Sequence, residues 1–389
     1  MDDKQKRFIY VCIFYFLSYS SMPFIYGYIQ TFLTEMGHTV MERSYVISIG
    51  AITAIVLQFF VGYLCDRYQS NRKFFILGQA ILIAVSWFFY HLTSQPFYQY
   101  IFFGAIMGGF YRTVISIQDA WILELDDSYK VNFGSLRAFG SFGWAVGCPI
   151  AGVVILHFGY TMLGNIFLIM GIITILLSLR LQDATKSQKD EKIDFKDVKA
   201  LLSSKKYILT VVINLFAFLA IEADGVVIIE KMLNLGCTEQ FIGLRSSLMA
   251  MIELPLFFLG GKVIKKFGSY TLMSFALLML GIRFILYGLS PTVLTFLLSS
   301  LLQSVTYPLF MVTSKLLVAD VTPKHLSSTG QTIAQSLLAG VAVLFGPLFA
   351  GWMISSFGTS NTFYALSVIT FFALFLACRS RKEILDDNS

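Results

Sequence analysis

The sequence predicts an all-α integral membrane protein with twelve transmembrane helices in two pseudo-symmetric six-helix bundles. Three observations carry that reading. Of 389 residues, 56% are hydrophobic and only 13% are charged, with a mean hydropathy of +0.72, whereas a soluble domain carries about 25% charge. The apolar residues gather in runs of the roughly 20 residues that a helix needs to cross about 30 Å of hydrocarbon. A membrane barrel would show strands of alternating polarity about 10 residues long, and the sequence has no such pattern. Finally, the runs fall into two sets of six on either side of one long polar stretch.

In the first half the spans are expected near 8–32, 43–65, 73–92, 97–123, 133–157 and 160–181. The charged start, Met1 to Arg7, leads into an apolar run too long for a signal-peptide core. In the second half they are expected near 207–231, 240–262, 269–289, 292–317, 326–354 and 360–378. Pro23, Pro149, Pro255, Pro308 and Pro347 fall inside spans, where a missing N–H bends a helix. Between the halves, Asp183 to Lys206 interleaves lysines with acids and reads as a solvated linker, with a short surface helix near Phe195 to Leu202. The expected domains are therefore 1–182, a linker at 183–206, and 207–389.

Loop charge fixes the orientation. Lys4, Lys6 and Arg7, then Arg67, Arg72 and Lys73, Lys130, Lys265 and Lys266, Lys324, and Arg379, Arg381 and Lys382 all fall on one side. The opposite loops, His91 to Tyr98, Phe158 to Tyr160, Ser290 to Pro291 and Ser355 to Thr362, carry no Lys or Arg. The positive-inside rule then places both termini in the cytoplasm, across a plasma (inner) membrane. The net charge of +6 is thus a matter of topology, and no nucleic-acid partner is expected. Five scattered cysteines without a CxxC suggest neither a disulfide framework nor a metal site. No Gly-x-x-x-x-Gly-Lys-Ser/Thr loop is present for ATP-driven work.

The two halves echo each other. Gly62-Tyr-Leu-Cys-Asp66-Arg67-Tyr68 follows span two, and Gly261-Lys-Val-Ile-Lys265-Lys266-Phe267 follows span eight, at an offset of 199 residues. Repeats of this kind build many secondary transporters, with substrate bound near mid-membrane. Gly62-x-x-x-Asp66-Arg67-x-x-x-x-Arg72-Lys73 closely resembles the loop signature of the major facilitator superfamily. The resemblance implies the major facilitator fold and a conformational latch at Gly62, Asp66, Arg67 and Arg72, in which the acid meets helix N-termini and basic groups. The same residues also suit a plain charged loop, and Lys265 replaces the acid in the second copy.

Charge inside a span costs about 2.5–3.5 kcal/mol on insertion scales. Eight charges are predicted there: Arg112, Asp119, Arg137, Glu222, Asp224, Arg245, Glu253 and Arg283. They can neutralise one another, yet buried pairs are often no better than apolar substitutes. Arg137 and Trp144 lie seven residues apart and share a helix face. A guanidinium beside an indole suits a polar ring, through multiple donors and a flat stacking surface. Gly140, Gly143 and Gly147 allow close approach of a helix or ligand. A buried Asp–Arg strut with an interfacial Trp is the structural alternative.

This stretch is similar to the lactose permease branch of oligosaccharide:proton symporters. The resemblance implies that Asp119, eighteen residues before Arg137, is the acid paired with that arginine, and that Trp144 is the stacking platform. It also implies coupling roles for Asp224, Glu253 and Arg283, while Gln303 and Thr306 stand where that branch has a protonatable histidine and glutamate. Desolvated acids suit proton carriage, and the order expected is Asp224 or Glu253 first, then Glu222. Glu253–Arg283 and Asp224–Arg245 salt bridges are equally open. Arg112 suits either an anionic substrate or neutralisation of Asp119. Phe16, Tyr19, Tyr26 and Tyr28 are candidates for an aromatic lining.

The expected function is a symporter, not an enzyme, moving a sugar or nucleoside-like solute by alternating access, with protons as the coupling ion and no cofactor. The expected partners are that solute and the lipid bilayer, with the chain a monomer. The alternative is a multidrug or metabolite efflux antiporter. Gly143 to Gly152 looks like an antiporter signature with one extra residue before Pro149, and is read as packing instead. A scaffold without transport would not need paired charges at mid-depth in both halves.

Overall fold

The computed structural model describes residues 3–93, 95–125, 129, 133–183, 201–323 and 326–385. These form helices α1 (Asp3–Ser21), α2 (Ile29–Glu35), α3 (Val40–Arg67), α4 (Asn71–Tyr90), α5 (Phe97–Leu125), α6 (Phe133–Phe158) and α7 (Thr161–Leu179) in the first half. The second half holds α8 (Lys205–Asn234), α9 (Glu239–Phe267), α10 (Ser269–Leu289), α11 (Val293–Ser300), α12 (Gln303–Asp320) and α13 (Ser327–Leu385). A π-helical turn, Pro23–Gly27, joins α1 to α2. Among the described residues there is no strand. Among the described residues, ten helical stretches are long and apolar enough to cross a membrane. One of them runs through Gly358, whose φ of 79° divides α13 into two rods, and α9 adds a further helix of 29 residues. Among the described residues the rods thus number twelve, as the hydropathy predicts. The expected surface helix at 195–202 lies almost wholly outside the described residues.

Local chemistry sets the helix ends. Thr39 opens α3 with a reciprocal box: its hydroxyl accepts from the Glu42 N–H, and Glu42 Oε2 accepts from the Thr39 N–H at 2.8 Å. The Ser70 hydroxyl caps α4. At Gly268 a φ of 79° turns the chain from α9 into α10, a conformation in which a Cβ would be strained.

Contacts divide the chain into two compact units, Met1–Gln188 with Gly236–Met251, and Lys189–Leu235 with Ile252–Ser389. Within the first, α1 packs on α6, α3 on α5, and α4 on α5 and α7. Its core is aromatic: Phe14, Phe75 and Trp121 meet at ring distances of 5.6–6.1 Å. The opening of α9 belongs to this unit, where the Tyr28 hydroxyl donates to the Cys148 carbonyl at 2.7 Å and Tyr160 donates to Glu239 at 3.0 Å. Within the second unit α8 and α10 pack on α13, and α10 on α12. Large side chains such as Phe59, Leu294 and Val368 are about two-thirds exposed, at 68%, 66% and 67%. Apolar surface of that kind on helices of spanning length calls for lipid.

Candidate functional site

The first unit builds its polar cluster on three helices. Tyr15 and Tyr19 stand one turn apart on α1, so their rings stack at 5.8 Å. Both phenols donate to Asp119 Oδ1 on α5, at 3.0 and 3.4 Å. Two donors satisfy a carboxylate that burial would otherwise penalise heavily. Arg137 on α6 holds its guanidinium carbon 4.5 Å from the centre of the Tyr19 ring, and its charge acts on Asp119. Arg137 Nη1 is buried without a hydrogen-bond partner, so it keeps a donor for a ligand. The acid and the arginine that the resemblance pairs therefore flank one tyrosine.

Glycines permit this closeness. A Cβ on Gly140 would stand 3.1 Å from the Tyr19 ring. On Gly143 and Gly147 it would come within 2.3 Å of the Phe16 and Ser20 carbonyl oxygens. The stretch is therefore used to seat α6 against the α1 backbone. Trp144, half-buried, lies two turns beyond Arg137 on the same helix. Arg112 is half-buried on α5 beside Tyr111, whose ring stacks on Tyr26 at 4.4 Å and 6°. Tyr26 sits in the π-helical turn, and its buried hydroxyl has no hydrogen-bond partner. Such turns often occur at functional sites. Of the other expected aromatic residues, Phe16 packs on Phe142 at 5.6 Å, and Tyr28 is spent on the Cys148 contact.

The second unit settles the pairing that spacing left open. Arg283 on α10 donates to Asp224 on α8 at 2.8 Å, and to the Thr306 hydroxyl on α12 at 2.9 Å. Both charged residues are buried, at 2% and 4% exposure. The guanidinium also lies 5.4 and 5.5 Å from the Phe284 and Tyr287 ring centres. Glu253 on α9 accepts from Gln303 Nε2 on α12 at 2.6 Å. Gln303 and Thr306 thus contact one acid and the arginine directly. Glu222, two residues before Asp224, turns the other way: a Cβ on Gly346 of α13 would meet it at 2.8 Å. Arg245 is buried on α9, within the first unit.

At the α3–α4 loop, Asp66 is exposed, and Arg67 donates to Tyr63 one turn back at 3.4 Å. Beyond its chain neighbours and its own helix backbone, no heavy atom lies within 4 Å of a Cβ built on Gly62. Arg72 donates to the Leu181 carbonyl at 3.0 Å. The acid at the α4 N-terminus is Asp183, which accepts from the Asn71 and Arg72 N–H groups at 3.1 Å and from the Ser70 hydroxyl. Sequence reasoning missed Asp183, because it opens the charged linker, and it missed Tyr15 and Tyr111. Among 19 tyrosines and 38 phenylalanines, only the one-turn spacing of Tyr15 from Tyr19 gave a hint.

The chain matches the model of the MFS_1 like family over residues 8–365. It is 23% identical to the uncharacterized transporter YwbF of Bacillus subtilis (strain 168), covering 95% of this chain and 94% of that one. It is 21% identical to the maltose permease of Geobacillus stearothermophilus, covering 92% and 90%. The crystal structure of the nucleoside transporter NupG superposes with a TM-score of 0.81 at 13% identity, over 96% and 98% of the chains.

Proposed function

The chain belongs to the MFS_1 like family of multi-pass membrane transporters, and from that premise we propose that it is a proton-coupled symporter of a sugar or nucleoside-like solute. The observation that carries the substrate class is the Tyr15–Tyr19–Asp119–Arg137 cluster. A carboxylate, phenols and a guanidinium with a spare donor suit a solute with several hydroxyls, and the ring faces suit a flat or apolar face. The maltose permease relative and the nucleoside transporter neighbour support the same class. Trp144 and Arg112 extend the site in this reading. For coupling, Glu253 is held by a neutral amide and Asp224 by an arginine. Proton uptake on either acid would alter a bond to α12 or α10. Solute moves by alternating access, in the plasma (inner) membrane, with the chain acting as a monomer and the proton as its coupling ion. Asp66, Gly62, Arg67 and Arg72 form the latch in one of the end states.

The efflux alternative rests on the Gly143–Gly152 stretch, in which Gly143 and Gly147 pack against α1. The test is a thermal-shift screen of purified protein over sugars, nucleosides, aromatic acids and efflux drugs. Stabilisation by a sugar or nucleoside is expected. A response confined to lipophilic cations would sink the substrate class.

A further inference from the structure

Tyr15, Tyr19, Tyr26 and Tyr28 stand on one stretch of the chain, α1 and the π-helical turn that follows it. Three of these four phenols are engaged: Tyr15 and Tyr19 donate to Asp119, and Tyr28 donates to the Cys148 carbonyl. The Tyr26 hydroxyl is buried and has no hydrogen-bond partner. A buried phenol ordinarily finds one. Left without one, it costs stability that a phenylalanine would keep.

The ring that carries this hydroxyl is held firmly. It stacks on Tyr111 of α5 at 4.4 Å and 6°. The turn itself is pinned beside it, where Tyr90 donates to the Ile25 carbonyl at 2.8 Å. On the other side Pro23 stands 3.1 Å from a Cβ built on Gly147, so α6 lies against the turn. A fixed ring with an unused hydroxyl is preorganised for a ligand.

Spacing relates Tyr26 to the Tyr–Asp–Arg cluster. On each of three segments a second residue stands seven positions from a cluster member: Tyr26 from Tyr19, Trp144 from Arg137 and Arg112 from Asp119. Seven residues are about two turns, ~10 Å along a helix. The contacts show that these steps lead the same way. Tyr19 meets Asp119 and Tyr26 meets Tyr111, while Gly140 lies at Tyr19 and Gly147 at Pro23. Tyr111 is close enough to Arg137 for the two to interact electrostatically. The duplicated scaffold does not require this second level. At the offset of 199, Tyr19 and Tyr111 correspond to Phe218 and Phe310, which meet edge to face at 5.3 Å without hydroxyls. Tyr26 corresponds to Gly225, inside the continuous helix α8.

We propose that Tyr26 is a further solute-binding residue, whose hydroxyl bonds the part of the solute that reaches the second level and so selects solutes of more than one ring. Arg137 Nη1, also buried without a hydrogen-bond partner, offers a donor at the first level. A single sugar ring is too short to engage both levels. The inference rests on the proposed solute site in the first unit.

The experiment is isothermal titration of the purified full chain with maltose, glucose, uridine and ribose. Wild type is expected to bind maltose over glucose, or uridine over ribose. Tyr26→Phe keeps the stacked ring and removes one neutral hydrogen bond. It should weaken the two-ring solute by about three- to tenfold and leave its single-ring counterpart unchanged. Its melting temperature should be no lower than that of wild type, since the hydroxyl has no protein partner to lose. A lower one would show a role in the fold instead and overturn the proposal. Wild-type affinity of Tyr26→Phe for the two-ring solute would overturn it too, while leaving the solute site intact. So would equal affinity of wild type for the two-ring solute and its single-ring part. Binding of none of the four by wild type would overturn this role together with the site on which it rests.

Discussion

At Tyr19 one ring serves two charges, accepting the Arg137 guanidinium on its face while its hydroxyl donates to Asp119. Lysine at 137 would keep the charge but lose the planar, many-donor fork. Arg137→Lys should therefore weaken solute binding at least about tenfold, the worth of one charge-assisted hydrogen bond, while expression stays normal. Trp144→Phe should weaken it less, since a smaller ring still stacks. Isothermal titration with the best solute from the screen reads both, and normal affinity in Arg137→Lys would remove the arginine from the site. Arg283 sets a different test, because both members of its pair are buried. Asp224→Leu strands a buried guanidinium and should cost about 3–5 kcal/mol. Asp224→Leu/Arg283→Met removes both charges and should recover most of that loss. Melting temperatures in detergent decide, and a double variant no more stable than the single would mean that the pair does not act as a unit. Which charges pair was not legible in the sequence. The one-turn and two-turn spacings place residues on a helix face, but the partner of Asp224 lies 59 residues away on another helix, where periodicity says nothing.

Helices were the most legible element, since lipid demands long apolar runs and leaves few alternatives. Hydropathy located the spans, but it could not show how closely two of them approach. That is decided by glycines, and Gly143 and Gly147 let α6 approach the α1 backbone. Gly62 offers the contrast, because it sits in the same kind of helix and a built Cβ would meet no atom within 4 Å beyond its chain neighbours and its own helix backbone. Gly147→Ala should therefore push α6 off α1 and lower the melting temperature, since its Cβ would lie 2.3 Å from Ser20 O. Gly62→Ala should leave stability unchanged or raise it by up to about 1 kcal/mol, the propensity difference between the two residues in a helix. Equal melting of the two variants would show that the α1–α6 approach does not depend on the missing side chain. If Gly62→Ala melts normally but transports slowly, the loop has the latch role assigned to it.

Across the whole chain the repeat is visible in the backbone as well as in the loop motif. Six residues adopt positive φ among the described residues, Gly37, Gln69, Gly159, Gly236, Gly268 and Gly358. They form three pairs, 37 with 236, 69 with 268 and 159 with 358, each separated by the 199 residues of the sequence repeat. The close approaches repeat too: a Cβ on Gly147 would meet Pro23, and one on Gly346 would meet Glu222, again 199 apart. The chemistry does not repeat. At the same offset Asp119 corresponds to Val318, Arg137 to Ser336 and Asp224 to Ile25. The scaffold is duplicated, while its polar groups divide between a Tyr–Asp–Arg cluster in the first unit and acids with neutral or basic partners in the second. That duplication also sharpens the topology. Reporter fusions at Gln188 and Ser389 should lie in the cytoplasm and one at Ser290 outside, and Gln188 found outside would break the six-span half.

The proposed division of labour between the halves leads to the coupling test. If substrate binds chiefly at Tyr19, Asp119 and Arg137, an acid of the second half can be neutralised without emptying the site. Neutralising the true proton carrier should then split transport in two. Uphill accumulation driven by a pH gradient is lost, while exchange of solute down its own gradient persists. Glu222→Gln, Asp224→Asn and Glu253→Gln, tested singly in proteoliposomes, separate the candidates. Glu253 is expected to show the split most cleanly, because Gln303 can hydrogen-bond a glutamine at 253 as well as a glutamate. Asp224→Asn should also uncouple, but with a lower melting temperature, since Arg283 loses its counter-charge. Glu222→Gln should accumulate solute nearly as wild type does, because its Cβ faces Gly346 and two residues along α8 turn it about 200° from Asp224. Normal accumulation in all three variants would move the proton to Asp119. Accumulation in wild type only when protons flow against the solute would make the protein an exporter.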